Sequence, residues 1–557
     1  MKRMKKLLIL VLSTLMLLGT MGMPVFAASD SSVTVSGLDA GDTVKFYKLI
    51  KWESTGWAWA DGVEAAATSA GVTLPDLETI TGNDTTAGAI SAANGGILAQ
   101  VAQKLSPVDT ETVATGASSV TYTKPSSMAA DDFLGLYVAL VKPATADYLY
   151  NPVFVSADFT AGNNSMGVQV DALSYSDTAL AKKEHISLTK TCAETQYDVA
   201  VGDTIAFTIT STIPEYSTSY VHPAYEITDK MDADLELVPS SIAVKVGGAT
   251  LAASNYDLTS STTGFTVKLK EAYLKTLTEA KPIVVTYNAK VTKIDDNNVV
   301  IKENKATVKF SNDPSNSSGY GLLEDYTYHY VFSLDAECLG HSGYENSELV
   351  KIGLNPDGTP ITEKTLDNGE SAGVLEGAVF GLYTDPGCNT LYTNNNVTPA
   401  IDGRYTSDEN GKLNISGLDA GTYYLREISA PEGYIADTTI YRIVITPKYK
   451  TVDERTYVNS DGITVYCDSY KVLESYTVVV TNMTSNQAVT STFTITNDGP
   501  NEVSSTTDHS SFLKNTQGTE LPTTGGMGTT IFYIIGTLLV IGAAIIIVTR
   551  RRMDSGR

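Results

Sequence analysis

The chain has 557 residues, room for three or four domains of ordinary size, and a formal net charge of −24. Two terminal apolar segments hold eight of the 39 basic residues and one of the 63 acidic ones, so the rest of the chain sets 31 basic against 62 acidic residues, a net of −31. Such a surface repels nucleic acid and anionic lipid and excludes both as partners.

Tyrosine is abundant, at 31 residues, threonine and valine dominate many segments, and proline is sparse, which suits antiparallel sheets better than helices. Four cysteines, Cys192, Cys338, Cys388 and Cys467, are too few to staple several domains in the manner of small secreted modules. One or two disulfides are compatible with them, and their spacing does not pair them.

At the N-terminus Lys2, Arg3, Lys5 and Lys6 precede the apolar stretch Leu7 to Leu18, and Val25-Phe26-Ala27 supplies small residues for cleavage. This is the pattern of a secretory signal peptide removed between Ala27 and Ala28. A first domain is expected over 28–175. In it Val33-Thr34-Val35 and Val44-Lys45-Phe46-Tyr47 alternate at period two around the turn Gly37 to Asp42, and further strands follow at Leu136 to Val141 and Pro152 to Ser156. The alanine-rich stretch Thr85 to Leu105 reads as a helical insertion interrupted at Gly95-Gly96.

A second domain, 176–345, carries strands expected at Ile186 to Thr191, Thr204 to Thr210, Phe265 to Leu269, Ile283 to Val291 and Ala306 to Phe310. A third, 346–500, carries Val379 to Tyr383, Thr422 to Ile428, Tyr441 to Thr446, Tyr476 to Val480 and Thr492 to Thr496. Short strands at this spacing, punctuated by Gly, Asn and Asp, give a mainly β chain of tandem immunoglobulin-like β-sandwiches. Ser-Gly-Leu-Asp-Ala-Gly occurs at 36–41 and again at 416–421, a sign of related strand-turn-strand units. Residues 501–520, rich in Ser, Thr, Asn and Asp, read as a flexible spacer.

The C-terminal 521–557 opens with Leu521-Pro522-Thr523-Thr524-Gly525, continues as an apolar run over 531–549 and ends in Arg550-Arg551-Arg552. The run is long enough to span a bilayer, with its basic end held on the cytoplasmic side. In this order the three features resemble the sorting signal that sortase cuts between Thr524 and Gly525. The resemblance implies secretion, transient membrane retention, and covalent attachment to a cell wall or to another protein.

The third segment contains Leu375-Glu376-Gly377-Ala378-Val379-Phe380-Gly381-Leu382-Tyr383. It also contains Gly417-Leu418-Asp419-Ala420-Gly421-Thr422-Tyr423-Tyr424-Leu425-Arg426-Glu427-Ile428-Ser429-Ala430-Pro431-Glu432-Gly433-Tyr434. Both resemble the collagen-adhesin B-type domain of sortase-assembled pilins of Gram-positive bacteria, whose E-box has the form Leu-x-Glu-x-x-Ala-Pro-x-Gly-Tyr. The second segment resembles the isopeptide-forming middle domain of backbone pilins. Its matching residues are Ile227-Thr228-Asp229 and the run Asn304-Lys305-Ala306-Thr307-Val308-Lys309-Phe310-Ser311-Asn312-Asp313-Pro314.

That resemblance implies a specific chemistry. A lysine amine attacks the side-chain amide of an asparagine, ammonia leaves, and a neighbouring carboxylic acid polarises the amide. Burial favours the neutral amine and the neutral acid, so folding itself creates the reactive state. In the third domain it implies Lys351 joined to Asn497 with Glu427 as the acid. In the second it implies Lys190 joined to Asn304, with Asn312 as a rival acceptor, and Asp229 as the acid. For polymerisation it implies a lysine between the first two domains that takes the Thr524 carboxyl of another copy. The usual Tyr-Pro-Lys is absent there, and Ala181-Lys182-Lys183-Glu184 offers Lys183 or Lys182.

The five histidines show no metal-ligand spacing, and there is no Cys-x-x-Cys, phosphate-cradling glycine loop or nucleophile-elbow motif. No metal, cofactor or turnover activity is expected. The reading is a structural backbone subunit of a covalent surface pilus. Its partners are sortase, further copies of itself, accessory pilins, peptidoglycan and a host surface ligand. The alternative is a monomeric wall-anchored adhesin or an accessory pilin at a tip or base.

Overall fold

Alternating apolar and polar residues place every second side chain of a strand on one face, and facing sheets must then cover those faces. The computed structural model describes residues 31–554 except 55, 83–89, 159–165, 167–174, 293–298, 317–318, 335–348, 363, 366–370, 398–399, 497–498, 506–512 and 519–526. Among the described residues the chain is mainly β, in several sheets around separate cores. The expected signal-peptide junction Ala27–Ala28 and the pentapeptide Leu521 to Gly525 lie outside the described residues.

The N-terminal part packs a five-stranded sheet, centred on Thr43–Glu53 and Gly135–Lys142, near a three-stranded sheet in which Ser32–Ser36 lies between Ser119–Thr123 and Ser176–Leu180. Helices Val63–Ala70, Leu77–Thr81 and Ala92–Ala102 cover one face of the larger sheet. Gly95 and Gly96 do not interrupt the last helix, contrary to the sequence expectation. They are close-approach positions: a Cβ on Gly95 would meet the Phe154 ring at 3.1 Å, and one on Gly96 would fall 1.2 Å from Thr218 Oγ1. Gln100 and Gln103 then donate to the carbonyls of Thr218 and Ser219, docking the helix onto the middle part of the chain.

The middle part is a sandwich. One sheet runs Leu188–Thr191, Thr204–Ile213, Lys281–Val291, Leu235–Val246, Ala249–Thr250. The facing sheet includes Tyr256–Ser261, Gly264–Leu269, Tyr225–Met231, Val299–Ser311 and Tyr320–Leu334. The 15-residue strand Tyr320–Leu334 serves two cores: Leu323 and Val331 pack in the middle sandwich, Phe332 and Leu334 in the C-terminal one. The hairpin Arg455–Val458 and Thr464–Cys467 extends the middle sheet by pairing parallel to this strand.

The C-terminal part has a seven-stranded sheet running from Arg404–Thr406 through Val379–Tyr383, Gly421–Ser429, Ile440–Val452, Tyr470–Asn482 and Ala488–Thr496 to Gly499–Ser505. A smaller sheet holds Leu349–Leu354 beside Leu513–Gln517. That last strand corrects the expectation of a spacer over 501–520. Its five residues contain only one large apolar side chain, Leu513, so composition hides a strand whose alternate residues Leu513 and Asn515 are buried. Beyond it the helix Met527–Asp554 contains the 22-residue span Phe532–Met553, of mean hydropathy 2.5, long enough to cross a bilayer. Cys192, Cys388 and Cys467 are free thiols, and Cys338 lies outside the described residues.

Candidate self-crosslinking sites

Leu188–Thr191 buries Leu188 and Lys190 and exposes Thr189 and Thr191. Tyr225–Met231 buries Tyr225, Ile227, Asp229 and Met231 in the same alternating way. Lys190 comes from one sheet, while Asp229 and Asn304 come from the other. The three residues are 4%, 2% and 0% exposed, so their polar groups meet across the core in the absence of bulk water.

Lys190 Nζ contacts Asp229 Oδ2 and lies 2.5 Å from the hydroxyl of Tyr287. Tyr287 donates to Asp229 Oδ2 at 2.7 Å and accepts from Asn304 Nδ2 at 2.9 Å. The Lys190 backbone N–H donates to Asp325 Oδ2 at 2.5 Å, fixing the strand position from which the amine projects. The rings of Phe207 and Tyr287 close around the amine, their centroids 5.0 and 5.1 Å from Nζ. Asp229 Oδ1 and Asn304 Oδ1 are buried with no hydrogen-bond partner.

Burial depresses the Lys190 amine and raises the Asp229 carboxyl, each against the opposing pull of its partner's charge. Both shifts favour the neutral forms. His329, also buried, is lowered to about 4 by desolvation; Nδ1 faces the Gln196 carbonyl and Nε2 the Thr327 hydroxyl. Asn312 lies just past the end of the Val299–Ser311 strand, eight residues beyond Asn304, about 26 Å along an extended chain. The structure therefore brings Asn304, and not Asn312, to Lys190.

In the C-terminal sandwich Lys351 Nζ lies 3.3 Å from Glu427 Oε1, with both side chains 1% exposed. Glu427 Oε2 accepts from Asn515 Nδ2 at 2.7 Å and from the Asp437 backbone N–H at 2.6 Å. Asn515 Nδ2 also donates to the Ile435 carbonyl at 2.8 Å, while its Oδ1 is buried without a hydrogen-bond partner. Phe380 shields the amine, 5.1 Å from the ring centroid, and burial lowers the Lys351 pKa.

Asn515 takes the position expected of Asn497. The Lys351 strand runs parallel to Leu513–Gln517, with Lys351 opposite Leu513 and Gly353 opposite Asn515. Asn497 itself lies outside the described residues, and the strand leading to it, Ala488–Thr496, belongs to the other sheet, between Tyr470–Asn482 and Gly499–Ser505. The first strand of the domain does pair with the last, but the last strand lies further along the chain than the expected Thr492 to Thr496.

Lys183 begins a short strand, Lys183–His185, that pairs with Tyr148–Tyr150 where the chain passes from the first core to the middle one. Its Nζ contacts the Asp39 carboxylate and sits 4.7 Å from the centre of the Tyr148 ring. Lys182 is exposed, and its carbonyl accepts from Asn151 N at 3.2 Å.

Known proteins resemble this chain along most of its length. The SpaA family, a prealbumin-like fold domain, matches residues 361–460, and the LPXTG cell wall anchor motif matches residues 513–555. The trypsin-resistant surface T6 protein of Streptococcus pyogenes serotype M6 is 24% identical over 567 residues, covering 94% of this chain and 95% of its own. The solved structure of the T6 backbone pilin superimposes with a TM-score of 0.55 at 19% identity, over 88% of this chain and 99% of that one. This chain has the fold of a backbone pilin. The full-length major pilin SpaD from Corynebacterium diphtheriae matches over 74% of this chain and 90% of its own, at 18% identity and a TM-score of 0.44. The C-terminal anchor motif makes the chain a cell-wall-anchored surface protein.

Proposed function

We propose that the chain is the structural backbone subunit of a covalently polymerised pilus, stiffened by two amide bonds that it forms itself. The observation that carries this reading is the presence of two separate buried clusters, each made of a lysine, a carboxylic acid and an asparagine, in consecutive sandwiches. In the first, Lys190 is joined to Asn304 beside Asp229. In the second, Lys351 is joined to Asn515 beside Glu427.

The chemistry follows from burial. A lysine in water is protonated and inert, but an amine forced into an apolar core beside a neutral acid is a nucleophile. A carboxylic acid hydrogen-bonded to the amide oxygen draws electron density from its carbon, and ammonia leaves. Each cluster reacts once, so the protein consumes no external substrate; it is itself the substrate of sortase. Sortase cuts after Thr524 and transfers that carbonyl to Lys183 or Lys182 of the next copy. The final copy passes to accessory pilins or peptidoglycan, and a host ligand would bind the exposed shaft.

A pilus is loaded end to end, and each bond offers force a path that cannot be reduced or unzipped. In the chain-entropy model a cross-link over a long loop also stabilises by about 3–5 kcal/mol. The T6 relative is described as trypsin-resistant, and the two amide bonds make the same property expected of this chain.

Expression at the surface of a sortase-bearing Gram-positive host tests the assembly. A ladder of covalent multimers, lost in a Lys182→Arg/Lys183→Arg double variant, is the expected result. A single wall-linked band would instead favour the monomeric adhesin or an accessory pilin.

A further inference from the structure

Asp229 makes no hydrogen bond to the amide nitrogen that must leave in the middle site. Its Oδ2 contacts Lys190 Nζ, but no hydrogen bond joins it to Asn304, whose amide nitrogen is held by Tyr287 instead. In the C-terminal site Glu427 contacts both the amine and the amide nitrogen without an intermediary. Tyr287 is fully buried, stacked on Phe207 at 5.1 Å between centroids and packed edge-on against Phe265 at 4.8 Å. Its hydroxyl therefore has a fixed position, and its hydrogen-bond partners among the described residues are the three members of this site.

We propose that Tyr287 is a catalytic residue of the Lys190–Asn304 reaction, a one-oxygen relay that carries a proton from the attacking nitrogen to the leaving one. This rests on the reading that the bond forms. The same oxygen lies 2.5 Å from Lys190 Nζ and 2.9 Å from Asn304 Nδ2. As the bond from Nζ to Cγ forms, the amide nitrogen becomes a pyramidal amine whose lone pair is no longer shared with the carbonyl. The hydrogen bond from Nδ2 to the hydroxyl can then reverse. Tyr287 gives its proton to Nδ2 and takes one from Nζ, the bond from Cγ to Nδ2 breaks, and ammonia departs. Nζ has lost one hydrogen, Nδ2 has gained one, the hydroxyl is unchanged and nothing is oxidised or reduced.

Asp229 is thereby released from the shuttle. In the neutral acid the proton on its unpartnered Oδ1 can be donated to the unpartnered Oδ1 of Asn304, the oxygen on which negative charge develops. The division of labour assigns charge stabilisation to the acid and proton transfer to the phenol. Glu427, one methylene longer, combines both tasks in the other sandwich.

The test is cell-free synthesis of the full chain in detergent, with samples taken over time and the two linked peptide pairs quantified by tandem mass spectrometry. Tyr287→Phe keeps the ring and its stacking. It is expected to slow Lys190–Asn304 formation by about a hundred-fold or more, the low end of general acid–base contributions, while Lys351–Asn515 forms at the unaltered rate in the same molecules. Equal rates for the variant and the native chain would overturn the proposal. Replacing Tyr287 by a fluorinated tyrosine, which preserves volume and hydroxyl but acidifies the phenol, is expected to move the pH profile of the middle bond alone. An unmoved profile would also overturn it. A native chain that never links Lys190 to Asn304 would remove the underlying reading as well, which separates that failure from failure of the relay.

Discussion

Glu427 touches both the amine and the amide nitrogen directly, whereas Asp229 touches Lys190 and is linked to the Asn304 amide nitrogen through the Tyr287 hydroxyl. The two sites also differ in what they would join. Lys190 and Asn304 belong to opposite sheets, so a bond there would pin the faces of the sandwich together across its core. Lys351 and Asn515 sit on neighbouring parallel strands, so a bond there would close the sheet at the point where the domain's chain enters and leaves. The contrast teaches that an acid can be linked to both an amine and an amide nitrogen either by a longer side chain or by a borrowed hydroxyl.

Removing the longer acid should have the largest effect. Glu427→Ala is expected to abolish the Lys351–Asn515 bond and to leave the buried Lys351 amine without its polar partner. Limited trypsinolysis should then cut the C-terminal sandwich selectively while the Lys190–Asn304 peptide pair persists. Loss of both bonds would show that the two sites are coupled.

Shortening the acid separates reach from acidity. Glu427→Asp gives the C-terminal site the acid of the middle site without a bridging tyrosine, and bond formation there should slow by at least ten-fold. Time-resolved peptide mass spectrometry reads the rate. An unchanged rate would mean that an aspartate suffices alone, and the comparison would fail.

The middle site also has a titrating neighbour with no counterpart around Lys351 among the described residues. His329 has a folded value of about 4 against an ordinary 6.5, so between those values the unfolded state binds more protons and stability falls as the pH drops. The loss approaches about 3 kcal/mol at pH 4. Asp325, pushed up to about 7 by burial, contributes in the opposite sense as the pH falls from 7 toward 3.8. Thermal melts of a His329→Gln variant should therefore show a smaller acid-side loss than those of the native chain. Identical pH slopes would contradict the assignment.

The smallest effect is expected of Asn312→Ala. Asn312 lies beyond the far end of the Asn304 strand, and its removal should leave both linked peptides intact by mass.

Much of this arrangement was legible in the chain. Alternation at Leu188-Thr189-Lys190 and Tyr225-Glu226-Ile227-Thr228-Asp229 put a lysine and an acid on inward positions normally held by apolar side chains. Asn515 was not legible, because 501–520 has a polar composition and the strand Leu513–Gln517 exists through its pairing with Leu349–Leu354 and Tyr434–Ile435, contacts remote in sequence. Tyr287 was hidden for the opposite reason: a tyrosine on the inward face of an apolar strand reads as packing, and only the fold shows where its hydroxyl ends. Gly95-Gly96 misled because a glycine pair reads as a helix break, whereas here it admits Phe154 and Thr218.

Intact mass of the full chain, followed by tandem mass spectrometry of its proteolytic peptides, tests the central claim most directly. Each bond expels one ammonia, so the account predicts a deficit of about 34 Da from the mass of the processed sequence, with Lys190 linked to Asn304 and Lys351 linked to Asn515. An unshifted mass, or Lys351 linked to Asn497 instead, would contradict it.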